Sequence, residues 1–421
     1  MLTSLYTAVS GLDANGTSLS VIGDNIANMN TIGYKASDIS FGDVLSQNMA
    51  SGSGTSQIGH GVQVSSVTPS FTQGSFQTSS NGLDMAIEGD GFFMVTDGGA
   101  RFYSRAGQFS LDKDSNIVNP DGLILQGYLA DAAGNITGTT GNLQIASSQS
   151  PARASSVVDV ALNLDATAAV PAGAFTLGVP ANTPANFNSS TSVNVYDTQG
   201  GAHSVTAYFV KTAANTWDVH YVQEDPANAS LLVDVGTQTL TFDVNGQLTG
   251  AAAGAAPVFD FGAGVTPPIQ AVTFDYGFGT SNASSQYASG FSVIKLSQDG
   301  YASGSLKSVS VSDSGVITGV FTNGQTRAIG QVALSRFSAP TKLTKMGSNL
   351  YAESFDSGQP IVGAANTSGL GRVLSNNLEL SNVDLATEFV KMITAQRGFE
   401  ANSKVITTTD QMLQLLVSLK Q

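Results

Sequence analysis

The sequence predicts a mainly β protein with a terminal α-helical coiled coil, a nested multidomain chain of two β domains plus paired N- and C-terminal helices. Three observations predict it. Apolar residues recur at helical spacing at both ends; between the ends they alternate around glycine turns; and within that β region the composition shifts over residues 151–290. At 421 residues the chain exceeds what one hydrophobic core usually serves.

The first element is a helix whose apolar stripe comprises Leu2, Leu5, Val9, Leu12, Leu19 and Ile26. The stretch "DNIANMNTIGYK" ends it, with Asn28, Asn30 and Thr31 followed by Gly33 as the left-handed residue that commonly closes a helix. The last element, from "SNVDLATEFVKMITAQRGFE" onward, opens with a capping-box pattern, Ser381 followed by Asp384. Met392, Phe399, Ile406 and Leu413 then recur every seventh residue, with Phe389 preceding them. A seven-residue repeat is the seam of a coiled coil, and this helix would run about 55 Å. The pairs Glu388 with Lys391 and Glu400 with Lys404 suit a solvated face. With a stripe at each end, pairing the two helices with each other and with copies from neighbouring chains is the economical solution.

Residues 71–150 alternate and turn repeatedly, at Asp97-Gly98 and Pro120-Asp121-Gly122, and residues 291–355 do the same around Asp313-Ser314-Gly315 and Asn323-Gly324. Between them, residues 151–290 are rich in Ala, Pro, Thr and Gly and hold Arg153 and Lys211 as their only Lys or Arg, against ten acidic residues from Asp159 to Asp275. The expected layout is a terminal helical domain (1–30 with 381–421), a connector (31–70 with 356–380), a first β domain (71–150 with 291–355) and an inserted outer β domain (151–290). Within the connector, "ASGSGTSQIGHG", residues 50–61, is a candidate flexible element.

Charge and composition exclude several classes. With 31 acids against 17 bases the net charge is −14, and phosphate-backbone binding runs on clustered Lys and Arg, so no nucleic acid is expected. No run of about 18 apolar residues is present, so no membrane insertion is expected. The first basic residue is Lys35, so no cleavable secretory signal is expected. The chain has no cysteine, which removes disulfides, thiolate metal sites and Cys nucleophiles.

No catalytic, cofactor-binding or metal-ligating set emerges, and the chain is not expected to be an enzyme. His60, His203 and His220 lack triad or metal-ligand spacing. "DKDSNIVNPDGL" begins like a calcium loop, but Ile117 stands where glycine is needed and Leu123 where a bidentate Glu is needed, so a hairpin turn is expected. Ser292 to Lys295 matches a Ser-x-x-Lys pattern within an alternating strand and without companion motifs. "EGDGFF" reads as a turn before a buried strand.

Several stretches resemble the bacterial flagellar axial proteins, the family of rod and hook subunits. "NIANMNTIGYK", with Asn25, Asn28, Asn30, Thr31, Gly33 and Tyr34, resembles that family's N-terminal signature, with Ile32 where Pro is usual. "LDMAIEGDGFFMV", with Gly91, Phe92 and Phe93, resembles its second signature. The segment from Ser381, with Asn382 and Asp384, resembles its C-terminal helix, with Gly398 where Ala is usual. Residues 299–337 resemble hook subunits specifically. The resemblance implies a homopolymer: terminal helices lining an inner tube, β domains forming outer shells, and a curved tube acting as a universal joint for motor torque. It also implies an extracellular flagellar location, export by the flagellar type III apparatus, and the distal rod, hook cap and hook-filament junction proteins as partners. Leu2, Leu5, Val9, Leu12, Leu19 and Ile26 are then expected to face Phe389, Met392, Phe399, Ile406 and Leu413 across an assembly seam. A distal rod subunit and a secreted β-rich adhesin or hydrolase are the alternatives.

Overall fold

The structure, a computed structural model, describes residues 2–418 apart from 45–46, 52–53, 132–133, 146–148, 178–183, 263 and 266. Two helices, α1 (Leu2–Ala27) and α2 (Leu385–Ser418), bracket a chain otherwise built of strands and turns. Contacts divide the chain into two compact units. One comprises residues 1–146, 307–320 and 326–421; the other comprises 147–306 and 321–325.

In the first unit the strands Val316–Phe321, Thr326–Arg336, Ile124–Ala130, Phe92–Asp97, Ala100–Ser104, Leu350–Ala352 and Thr344–Gly347 lie side by side, each antiparallel to the next. Phe92 to Thr96 are all buried. Alternation sends Phe93 and Val95 into one core with Met85, Ile87, Leu125, Val332 and Leu334, while Phe92 and Met94 enter a second with Tyr103, Phe337 and Tyr351. "GFFMV" is therefore a central strand covered on both faces, which is why it reads as a continuous apolar run.

The second unit is a four-stranded antiparallel meander (Ser189–Tyr196, Ala202–Ala213, Thr216–Asp225, Asn228–Thr241) facing a smaller sheet across one core. In the smaller sheet Val157–Asp165 pairs in parallel with Thr273–Asp275 and Ser285–Tyr287, and antiparallel with Ser292–Gln298. Trp217, Phe209, Tyr221 and Phe259 fill the core, and the Tyr221 and Tyr276 hydroxyls meet at 2.9 Å. The acids of this unit mostly build turns. Asp243 Oδ1 accepts the Asn245 and Gln247 N–H groups, Asp165 that of Thr167, and Asp275 that of Gly277. Donors hold two of these carboxyls below the usual range: the Gln247 N–H at Asp243 and the Thr167 hydroxyl at Asp165.

Two expectations on organisation are corrected. Ser292–Gln298 pairs with Val157–Asp165, so the strand placed in the first β domain belongs with the insert. Residues 356–380 are not a free connector: Ile361–Ala364 pairs with Thr326–Arg336, Arg372–Ser375 with Met85–Glu88, and Asn377–Glu379 with Phe76–Thr78. The candidate flexible element, residues 50–61, takes in the end of the strand Gln47–Ser51 and its antiparallel partner Gly54–Ile58, residues 52 and 53 lying outside the described ones.

Candidate assembly site

The helices run antiparallel: Asn25 of α1 meets Glu388 at the start of α2, whereas Gly11 meets Asn402 and Asn15 meets Gly398. Their closest rows are made of small and polar side chains. On α1 the buried positions are Ala8, Gly11, Ala14, Ser18, Ile22 and Asn25; on α2 they are Glu388, Ala395 and Thr409. A methyl group added at Gly11 would lie 2.7 Å from Asn402 Nδ2, and one at Gly398 would lie 2.8 Å from Asn15 Oδ1. Small residues bring the two backbones together, and larger apolar residues flank the line of approach.

The expected seam is redistributed accordingly. Leu5, Leu12, Leu19 and Ile26 are half-buried, as are Met392, Phe399, Ile406 and Leu413. Val9 (48% exposed) and Phe389 (46%) lie outside the intrachain interface. The side chain of Leu2 is outside the described residues. Two further expectations change. Glu388 is buried rather than solvated, accepting from Asn25 Nδ2 at 3.2 Å and from Lys391 Nζ at 2.9 Å; Lys391 also reaches Asp38 Oδ1 at 3.1 Å, and its bonds to Glu388 and then Asp38 raise its pKa. The cap of α2 is Asp384, whose Oδ1 accepts the Thr387 N–H at 2.7 Å, while Ser381 Oγ takes the Val383 N–H outside the helix.

Below the helices the three motif-bearing stretches converge. The Asn25 amide closes a two-way bond with Ser37, accepting its N–H at 2.8 Å and donating to its carbonyl at 3.0 Å. The Asn28 amide donates to Asp24, and Thr31 Oγ1 to Asn28 Oδ1. Asn30 is exposed. Gly33 adopts φ +70°, and a side chain there would collide with the backbone of Ala106. The Tyr34 hydroxyl donates to Asp24 Oδ2 at 3.0 Å, and burial followed by this bond pushes its pKa up. Asn382 Oδ1 accepts the Ala36 N–H at 2.8 Å while its amide donates to Ser70. Gly91, at φ +139°, leads the chain into Phe92 and Phe93, which take opposite faces of the sheet.

At the centre lies an ion cluster missing from the expected site. Glu379 and Lys35 are fully buried, with Nζ 2.6 Å from Glu379 Oε1, and the same oxygen accepts from Gln73 Nε2 at 2.6 Å and from the Gly74 N–H at 2.9 Å. Arg105, 3% exposed, places Nη1 3.5 Å from Glu379 Oε2 and its guanidinium over the Phe92 ring. Burial lowers the Lys35 and Arg105 pKa values, and Glu379 opposes it in both cases. Lys35 stands in the quoted N-terminal motif, but its partner is a lone acid between Leu378 and Leu380.

The expected non-sites have plain structural roles. Asp112 Oδ1 accepts the Asp114 and Asn116 N–H groups and so closes the hairpin turn, and the Asn116 amide, its strongest donor, lowers its pKa. His203 stacks on Phe261 and bonds Asp197; His220 stacks on Phe175 and bonds Asp234. Among the described residues no three His, Cys, Asp or Glu side chains gather for a metal, and no helix is long and apolar enough to cross a membrane.

Four family models match successive stretches: Flagella basal body rod protein over residues 5–35, Flagellar hook protein FlgE/F/G D1 domain over 86–165, Flagellar basal body protein FlaE D2 domain over 163–301, and Flagellar basal body rod FlgEFG protein C-terminal over 374–419. The flagellar hook protein FlgE of Escherichia coli (strain K12) is 35% identical over 98% of this chain and 99% of its own. The chain belongs to the flagellar hook protein family. Relatives in Salmonella typhimurium and Borreliella burgdorferi, also named flagellar hook protein FlgE, are each 34% identical, over 99% and 100% of this chain and 100% of their own. The crystal structure of Helicobacter pylori flagellar hook protein FlgE2 shares the fold at a TM-score of 0.51 and 16% identity, covering 72% of this chain and 100% of that one. The chain is a structural subunit of the hook, and a match along its whole length favours neither the rod nor the adhesin or hydrolase alternative. The buried cluster draws on three of the matched stretches: Lys35 from the first, Arg105 from the second and Glu379 from the last.

Proposed function

We propose that this subunit polymerises with itself into the curved tube of the hook and that the tube serves as a universal joint, carrying motor torque while it bends. Besides membership of the family, the observation that carries this is the outer side of the helix pair. Tyr6, Val9, Phe389, Val390, Ile393, Val405, Met412 and Leu415 are each 42–70% exposed, far more apolar surface than a solvated helix pair normally presents. Copies of the same helices, packed by a head-to-tail contact that does not close on itself, cover that surface and generate a tube. The half-buried row of Leu5, Leu12, Leu19, Ile26, Met392, Phe399, Ile406 and Leu413 then completes the assembly seam. In this reading the subunit lies outside the cell within the flagellum. Its partners there are the distal rod, the hook cap and the hook-filament junction proteins, after export through the flagellar type III apparatus.

The test is to salt out the purified full chain and image it by negative-stain electron microscopy beside a chain trimmed to residues 28–384. This truncation keeps the strand Asn377–Glu379 with its partner Phe76–Thr78. Curved tubes from the full chain and monomers from the trimmed one are expected. Straight tubes would favour a rod subunit, and monomers from both would overturn assembly through the termini.

A further inference from the structure

Beside the ion cluster the first unit holds a cavity of about 380 Å³ that neither the fold nor the helix pairing uses. Its apolar walls are Phe71, Phe92, Phe337 and Pro340, and two guanidinium groups, Arg105 and Arg336, line it. The charges do not balance. Lys35 and Arg105 are two buried cations sharing one buried carboxylate, Glu379. Arg105 Nε and Nη1 are buried without a hydrogen-bond partner, and among the described residues Arg336 has no carboxylate within 4 Å. Asp90 stands on the rim, exposed and beyond ion-pair distance, and acts on Arg105 only through its charge, after Glu379. A buried guanidinium with unused donors, in a pocket walled by aromatic rings, is suited to a carboxylate next to an aromatic side chain, because the fork of N–H groups binds carboxylate oxygens in pairs.

The same chain carries such a group. Phe355 is fully exposed, at 102% of its reference area, and Asp356 follows it, also exposed. The loop does not serve its own cavity. Its ends are tied down by Ser354 Oγ donating to the Lys342 carbonyl at 2.7 Å and the Ala339 N–H donating to Ser357 at 3.3 Å, which leaves Phe355 out in solvent. We propose that the Phe355–Asp356 loop of a second copy seats in this cavity, Phe355 against Phe71, Phe92 and Phe337, and the Asp356 carboxylate on Arg105 and Arg336. The inference rests on the assembly reading above and assigns one of its subunit contacts. One aromatic knob buries about 150–250 Å², far below the area of a stable dimer, so the contact holds only alongside others in a polymer.

The test is seeded growth of the full-length chain on sheared tubes in 0.15 M NaCl, with the critical concentration read by sedimentation. Arg336→Glu and Asp356→Lys are each expected to raise it about tenfold, as loss of a partly desolvated charge pair does, and the double variant to return within about threefold of wild type. Melting of each monomer, followed by circular dichroism, checks that the variants fold. Phe355→Ala alters neither charge nor core, is expected to raise the critical concentration too, and keeps the test open if a charge reversal lowers the melting temperature. Single variants that grow like wild type, or a double variant no better than the worse single one, would overturn the knob-and-cavity contact alone. Wild-type chain that does not extend seeds would overturn the assembly reading and this contact with it.

Discussion

Replacing Glu379 by Gln keeps the side chain's shape and removes the only anion among two buried cations. The Gln carbonyl still accepts from the Gly74 N–H and from Lys35 Nζ, but as a neutral group, and its amide would face the Arg105 guanidinium where a carboxylate oxygen now lies 3.5 Å away, so both buried cations lose their counter-charge. Removing one partner of a buried pair costs about 3–5 kcal/mol, a large share of a typical domain's stability. With a urea dependence of about 3 kcal/mol per molar for a unit of this size, the unfolding midpoint of the first unit falls by more than about 1 M. The assay has an internal control, because Trp217, the chain's single tryptophan, lies in the core of the second unit while both helices lie in the first. Ellipticity at the helix band should shift to lower urea while the Trp217 fluorescence transition stays in place. A shift below about 0.3 M in the helix signal would refute the idea that Glu379 neutralises this site.

Further predictions concern the same junction. Lys35 has its folded pKa lowered by burial, so between that lowered value and the ordinary 10.5 the unfolded chain binds more protons; stability therefore rises with pH through that window, and Lys35→Met should flatten that limb of the urea midpoint against pH. Tyr34 and Tyr351 act oppositely: burial raises both, so their contribution holds up to about pH 10 and is lost as pH rises further, and Tyr34→Phe should soften that alkaline fall. Gly33→Ala imposes a side chain at φ +70° against Ala106 and should cost more than about 2 kcal/mol in urea unfolding, whereas Gly59→Ala, in open space, should be nearly neutral. Gly11→Leu should separate α1 from Asn402 and abolish tube growth while leaving the Trp217 transition unchanged.

The existence of the two helices was legible because apolar spacing survives even where the faces are misjudged. What misled the reading was size. Large apolar residues were expected to mark the interface, but antiparallel helices in close approach need Gly11, Ala14, Ser18 and Ala395 there, and small residues leave no hydrophobic signal. The strands and their turns were legible from alternation and glycine; Gly98, Gly122, Gly315 and Gly324 all adopt positive φ. The insert's edge was missed because Ser292–Gln298 alternates like its neighbours, and only pairing tells which sheet it joins. Many of its acids are turn-closing acceptors, a role that their count against Arg153 and Lys211 does not show. Glu379 was the hardest to read, since the importance of a single carboxylate in a three-residue strand depends on partners that the sequence does not place beside it.

The contact between Lys35 and Glu379 spans 344 residues, and this fixes an order of events in time. Closing a bare loop of that length costs about 5 kcal/mol, a cost that falls when the intervening sheets have already condensed. A chain emerging N-terminus first through a narrow passage presents α1 and Lys35 early and must then deliver some 340 further residues before the carboxylate arrives. Until then Lys35 stays in water, α1 lacks its antiparallel mate, and its apolar side chains have no partner from their own chain. The junction therefore closes in stages: contacts such as Asn25 with Ser37 and the Asn349 amide on the Ile32 carbonyl can tie α1 to the body first, while the charge pair and the pairing with α2 wait for Glu379 and the residues after it.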